Sequence, residues 1–145
     1  MIDQLTANSP VPASDVAAAM AVMQTIDLTA VMGKLRRTEG WSEAQAATAA
    51  MRYRRFLCMH YLDAPFDPVP ALDVDKVWHQ HILHTRDYAS DCQRVFGAFL
   101  HHAPGSEDSE AAQGHVRANA AKTQARYAEL FGEEYVETWL SYFLL

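Results

Sequence analysis

Apolar residues recur every three or four positions through most of this chain, and no Val/Ile/Thr-rich stretch alternates as a strand would. The clearest case is GWSEAQAATAAMRYRRFLCMHYL, where Ala47, Ala50, Met51, Tyr53, Leu57, Cys58, Tyr61 and Leu62 keep helical spacing. Ser42 is a good N-cap, Glu43 sets acid in the first turn, and Gly40 stops the preceding helix. That preceding helix is LTAVMGKLRR, opened by Asp27 or Thr29, and before it VAAAMAVM follows a cap at Ser14 or Asp15. Residues 1–13, with Asn8, Ser9, Pro10 and Pro12, read as a tail that frays.

After the long helix, DAPFDPVPALD carries Pro65, Pro68 and Pro70, so the chain runs extended until Asp73 caps the next helix. That helix runs to His84, where Thr85 opens another reaching Leu100, closed beyond it by Pro104 and Gly105. A helix from Ser109 to Phe131 ends at Gly132, and EEYVETWLSYFLL sets Tyr135, Trp139 and Tyr142 or Phe143 at a spacing for docking. The expected architecture is all-α, a single-domain bundle of about six helices over 14–145.

Composition narrows the partners. Half of the 145 residues are apolar and 21% are charged, a mixture that builds a core. Twelve basic against eighteen acidic side chains leave a charge of -6, which repels phosphate backbones and anionic lipid, so neither nucleic acid nor membrane is expected as a partner. The runs KLRR and RYRR lie on helices and read as solvated faces or ion pairs, with Arg52 and Arg55 turned from the apolar stripe. Two cysteines, Cys58 and Cys92, make no disulfide framework, and no basic leader or membrane-length apolar run occurs. A cytoplasmic location is expected, with an unknown protein or small molecule as partner.

The chemistry concentrates in VDKVWHQHILHTRDYASDC, Val74 to Cys92. His79 and His81 lie about 200° apart on a helix and cannot share an ion, whereas Asp75 and His79, four apart, form a half-site. The pair His101 and His102 is the candidate to complete it, giving Asp75, His79, His101 and His102 as metal ligands. Imidazole with carboxylate suits a divalent transition metal, zinc or iron foremost, better than calcium or magnesium. Trp78, with Val74, Val77 and Ile82, faces the core. The competing expectation is a non-catalytic protein-interaction module, in which histidines, tryptophan and aspartates form a hydrogen-bonded core, a carboxylate such as Asp75 or Asp91 holding a ring N–H, and an apolar groove receives a partner helix or chain. His81 and His84 are a further pair on another face, Cys92 is a small buried hydrophobe, and His60 and His115 lie either at the surface or behind the ligands as supporting residues. Metal-free acid–base catalysis would use His81 with Asp87 or Asp91. No nucleophile elbow, P-loop or dinucleotide-binding glycine pattern occurs, and no catalytic residue is assigned.

GWSEAQAATAAMRYRRFL, VDKVWHQHILHTRDYASDC and FGAFLHHAP together resemble the glycine-rich domain-containing-protein-like family, over roughly residues 26 to 131. The block Trp78, His79, His81, Ile82, Leu83, followed by Asp91, Cys92, Gly97, His101 and His102, carries the resemblance. It implies a helical domain, found alone in bacteria and fused to glycine-rich segments in plants, without an assigned reaction. It also implies that Trp78, His79, His81, Asp91, Cys92, His101, His102 and Pro104 form one centre. The chain departs from that pattern in having His84 where Asp is usual, in lacking Tyr-Phe-Gly after Pro104, and in lacking the glycine-rich segment.

Overall fold

A computed structural model describes residues 11–102 and 110–135. Six helices appear among them: α1 (Ala13–Met23), α2 (Thr29–Glu39), α3 (Glu43–Asp63), α4 (Leu72–Leu83), α5 (Thr85–Phe96) and α6 (Glu110–Phe131). No described residue forms a strand, so the all-α expectation holds. Residues 1–10, and with them most of the expected tail, lie outside the described residues, as do Pro104 and Gly105. Of the expected last helix only Glu133, Glu134 and Tyr135 are described, and they are not helical.

α3 is the hub, packed against α1, α2, α4 and α6. Its start is fixed by a capping box: Gln45 N donates to Ser42 Oγ at 3.1 Å and Ser42 N donates to Gln45 Oε1 at 2.8 Å. Three small residues, Ala46, Ala49 and Ala50, are buried in its first half and let α1 approach closely. Its second half, Phe56 to His60, is buried continuously because neighbours cover it on several sides. A single stripe therefore misplaces some positions: Ala47 and Tyr61 are exposed, whereas Phe56, Met59 and His60 are buried.

Several helix ends differ from expectation. α1 begins at Ala13 behind Pro12, whose carbonyl accepts from Asp15 N at 2.9 Å and Val16 N at 3.2 Å, so Ser14 and Asp15 lie inside the first turn and neither caps it. α4 begins at Leu72, and Asp73 lies inside the first turn instead of capping, since Arg52 takes its carboxylate: Nε to Oδ2 is 2.7 Å and Nη2 to Oδ1 is 3.1 Å. Arg52 is thus buried, 3% exposed, with its guanidinium 5.2 Å from the Tyr135 ring centre, contrary to the expectation that it turns from the core. α5 stops at Phe96 and not at Leu100, because Gly97 adopts φ 72° and ends the helix; at its start His84, and not Thr85, is the capping position.

The proline loop between α3 and α4, with a cis Ala64–Pro65 bond, is pinned from the far side. Arg126 of α6 makes a two-pronged bond to Asp63, 2.7 Å on each arm, Val69 N donates to Thr123 Oγ1, and Tyr135 bridges Ala71 N and Val69 O. These contacts hold the loop as one wall beside the histidine-rich region. No helix among the described residues is long and apolar enough to cross a membrane.

Candidate functional site

The break between α4 and α5 at His84 turns the chain back, so α5 packs against α4 and Gly97 then sends Phe99 to His102 across α4. Trp78, 2% exposed, anchors the arrangement. Its Nε1 donates to Tyr88 Oη at 2.9 Å, and Tyr88 donates in turn to the Leu100 carbonyl, which pins the returning segment. His102 then lies flat on the indole, centroids 4.0 Å apart and planes 3° apart, and its Nε2 donates to Asp75 Oδ1 at 2.7 Å.

His81 occupies the opposite flank and is 2% exposed. Its Nε2 meets Asp91 Oδ2 at 2.9 Å and its Nδ1 meets Tyr53 Oη at 2.7 Å. A carboxylate only accepts, so Nε2 carries the proton and Tyr53 donates to a bare Nδ1. Burial pushes the His81 pKa down against the pull of Asp91, and pushes the Tyr53 hydroxyl well up, so both are neutral. Arg94 completes the chain by donating to Asp91 Oδ1 at 3.2 Å and bonding Thr25. Tyr88, stacked edge-on to His81, has its hydroxyl pKa raised by the same desolvation.

His60 departs most from expectation. It is not at the surface but 9% exposed, wedged edge-on to Phe56 at 4.9 Å and against Trp78 at 5.7 Å. Its Nε2 has no hydrogen-bond partner, and desolvation lowers its pKa to about 4. One signal was available in the sequence: His60 stands four residues after Phe56, on the same helical face. Cys92 is a small buried thiol as expected, and Cys58 is another, its pKa raised to about 11 by burial.

Of the four expected ligands the structure joins Asp75 to His102. His79 is exposed on α4, one turn beyond Asp75, which turns to His102 instead. His101 is exposed and packs on Phe99, centroids 4.7 Å apart. No group of three or more His, Cys, Asp or Glu among the described residues is gathered as one ion would require. Among the other residues weighed for the site, Asp87 is exposed, His84 is half-buried at the helix break, and His115 is exposed on α6.

Two adjoining concavities open beside the cluster. One, about 540 Å³, lies under the end of α3 and is walled by His60, Tyr61, Phe66, Phe96, Phe99 and neighbours. The other, about 340 Å³, is bounded by the proline loop, Asp75, His101, His102 and α6 residues including His115. Asp67 and His101 belong to both, so the two form one cleft with an aromatic half and a polar half.

Glycine-rich domain-containing protein 1 of Arabidopsis thaliana is 37% identical to this chain over 68 residues, 46% of this chain and 8% of that protein. Glycine-rich domain-containing protein 2 of the same plant is 34% identical over 68 residues, again 46% of this chain and 8% of the relative. The chain thus spans less than a tenth of the length of these curated relatives. No solved structure matches it. A family model described as UCP032817-like matches residues 21–125, which takes in the long helix, the proline loop, the tryptophan helix and the returning histidine pair, and the chain belongs to that family.

Proposed function

We propose that this domain is a non-catalytic binding module, in which the histidine, tryptophan and aspartate cluster is a hydrogen-bonded scaffold and the cleft beside it receives the ligand. The observation that carries this reading is His81: both ring nitrogens are spent on Tyr53 and Asp91, and the ring is 2% exposed. Enclosed at 2% exposure, the ring meets no ligand from solvent, and its two bonds tie α3, α4 and α5 together. The cleft has the size and aromatic lining typical of a ligand site. Thermal unfolding of His81→Ala with and without a chelator tests the scaffold. The expected result is an equal loss of stability in both conditions; a variant that folds as well as the parent but sheds a bound ion would overturn it.

A second reading, binding of a divalent transition metal such as zinc or iron, is favoured by one observation. Asp75, His101 and His102 border the same concavity, with His115 across from them and Asp75 already bonded to His102. An ion would have to draw His101 or His115 inward to reach a full ligand set. Titration of chelator-treated protein with zinc tests it: one equivalent taken up and lost in His102→Ala supports this reading, and no uptake removes it.

A further inference from the structure

The cleft is amphipathic in a specific way. Its aromatic half carries exposed apolar surface: Tyr61 is 43% exposed and Phe99 46%, and both line a concavity also walled by Phe66 and Phe96. Its polar half holds two carboxylates, Asp67, which is exposed, and Asp75, whose side chain is 44% exposed. Among the described residues bordering either concavity there is no lysine and no arginine. The other polar groups are imidazoles, which when neutral accept hydrogen bonds as readily as they donate them.

His60 supplies an independent indication. It is nine-tenths buried in the wall of the aromatic half, yet its Nε2 has no partner. An unpaired buried polar atom is costly, and an apolar ring of similar shape would fill the same space without that cost. The wall therefore keeps a polar group that the free protein's own packing does not use.

We propose that the cleft binds a small arylalkylamine, its aromatic ring among Tyr61, Phe66 and Phe99 and its ammonium between Asp67 and Asp75. The inference rests on the binding-module reading and deepens it by naming the ligand class. Charge selects the head group: a cation meets two carboxylates with no basic side chain to compete, while an anion of the same size meets repulsion. Shape selects the body: about 540 Å³ of largely apolar space accommodates one or two rings. An ammonium at the boundary also lies within reach of the exposed ring faces, which favour cations.

The test is an NMR titration of the full chain at pH 8, above the ordinary range of imidazole, with phenethylamine, phenylacetate and 2-phenylethanol in turn. The expected result is saturable shifts at cleft residues with phenethylamine, at least tenfold weaker binding of phenylacetate, and intermediate binding of the alcohol. The double variant Asp67→Asn/Asp75→Asn keeps an acceptor for His102, so it folds, and it loses at least fivefold in amine affinity while the alcohol is unaffected. Equal binding of all three probes, or an undiminished amine affinity in the double variant, overturns the amine assignment and leaves the binding reading standing. No cleft shift with any of the three overturns both.

Discussion

The imidazole of His102 lies parallel to the indole of Trp78 at 4.0 Å while its Nε2 bonds Asp75, so the residue after the α5 turn is fastened to two residues of α4 three positions apart. The stack and the charge-assisted bond act on the same ring, and each fixes the orientation the other needs. Through Tyr88, which ties Trp78 to the Leu100 carbonyl, the whole segment from Leu100 to His102 becomes a strap over the tryptophan. This strap forms one side of the cleft.

Removing that ring loosens the strap without opening the core. His102→Ala is expected to cost about 1 kcal/mol, the size of an aromatic pair plus a partly exposed hydrogen bond. Trp78 fluorescence should rise as the stacked imidazole is removed, and hydrogen exchange at Leu100 and His101 should quicken. An unchanged indole signal would mean the stack is not populated in solution.

The Arg52–Asp73 pair is buried on both sides, at 4% and 1% side-chain exposure. Asp73→Asn removes the carboxylate that faces this buried guanidinium and should cost about 3–5 kcal/mol by chemical denaturation. The double replacement Arg52→Met/Asp73→Leu should recover most of that loss, because both members of the buried pair go together. If the double variant is as unstable as the single one, packing and not charge governs the site.

Acid should destabilise the fold through His60. Its folded pKa is about 4, below its ordinary 6.5, so the folded form resists the proton that the unfolded chain accepts. The associated stability is intact above pH 6.5 and is lost as pH falls towards 4, amounting to roughly 3 kcal/mol over that window. His81, also depressed, acts in the same direction. His60→Phe should flatten this limb of the pH profile and add about 1 kcal/mol near neutrality by removing the unpaired Nε2. A profile identical to that of the parent would remove His60 from the account.

His81→Ala leaves the Tyr53 hydroxyl and one Asp91 oxygen without their partner and opens a void in the core. The expected loss is about 3 kcal/mol or more, since each stranded polar group costs about 1–3 kcal/mol. Restoring a partner with His81→Gln should recover part of it, whereas an equal loss in both variants would point to volume alone.

How much of this was legible in the sequence depended on how local the cause is. Gly40, Ser42 and Gly132 act within a single turn, and each was read where it stands. Trp78, Val74 and Val77 were placed in the core by helical spacing, which is likewise a short-range signal. Asp73 and Arg52 were misread because their partnership spans 21 residues: an aspartate before a helix looks like a cap until a distant guanidinium claims it. Of the two places expected for His60 the surface one fails for a related reason, since a hub helix is covered on several faces. Within the site, the alternative of a carboxylate holding a histidine N–H had the right chemistry for His81, but Tyr53 as the second partner had no local signature. The return of His102 onto Trp78 depended on Gly97 ending α5 four residues earlier than Leu100, a boundary that helical periodicity alone overran.

The scaffold reading turns on the state of one imidazole, and ring-nitrogen NMR on ¹⁵N-histidine-labelled protein reads that state directly. The prediction is a single neutral Nε2–H tautomer for His81, unchanged by a chelator, by one equivalent of zinc, or by pH between 6 and 8. Exchange between tautomers, protonation within that range, or a zinc-induced shift of either His81 nitrogen would contradict it.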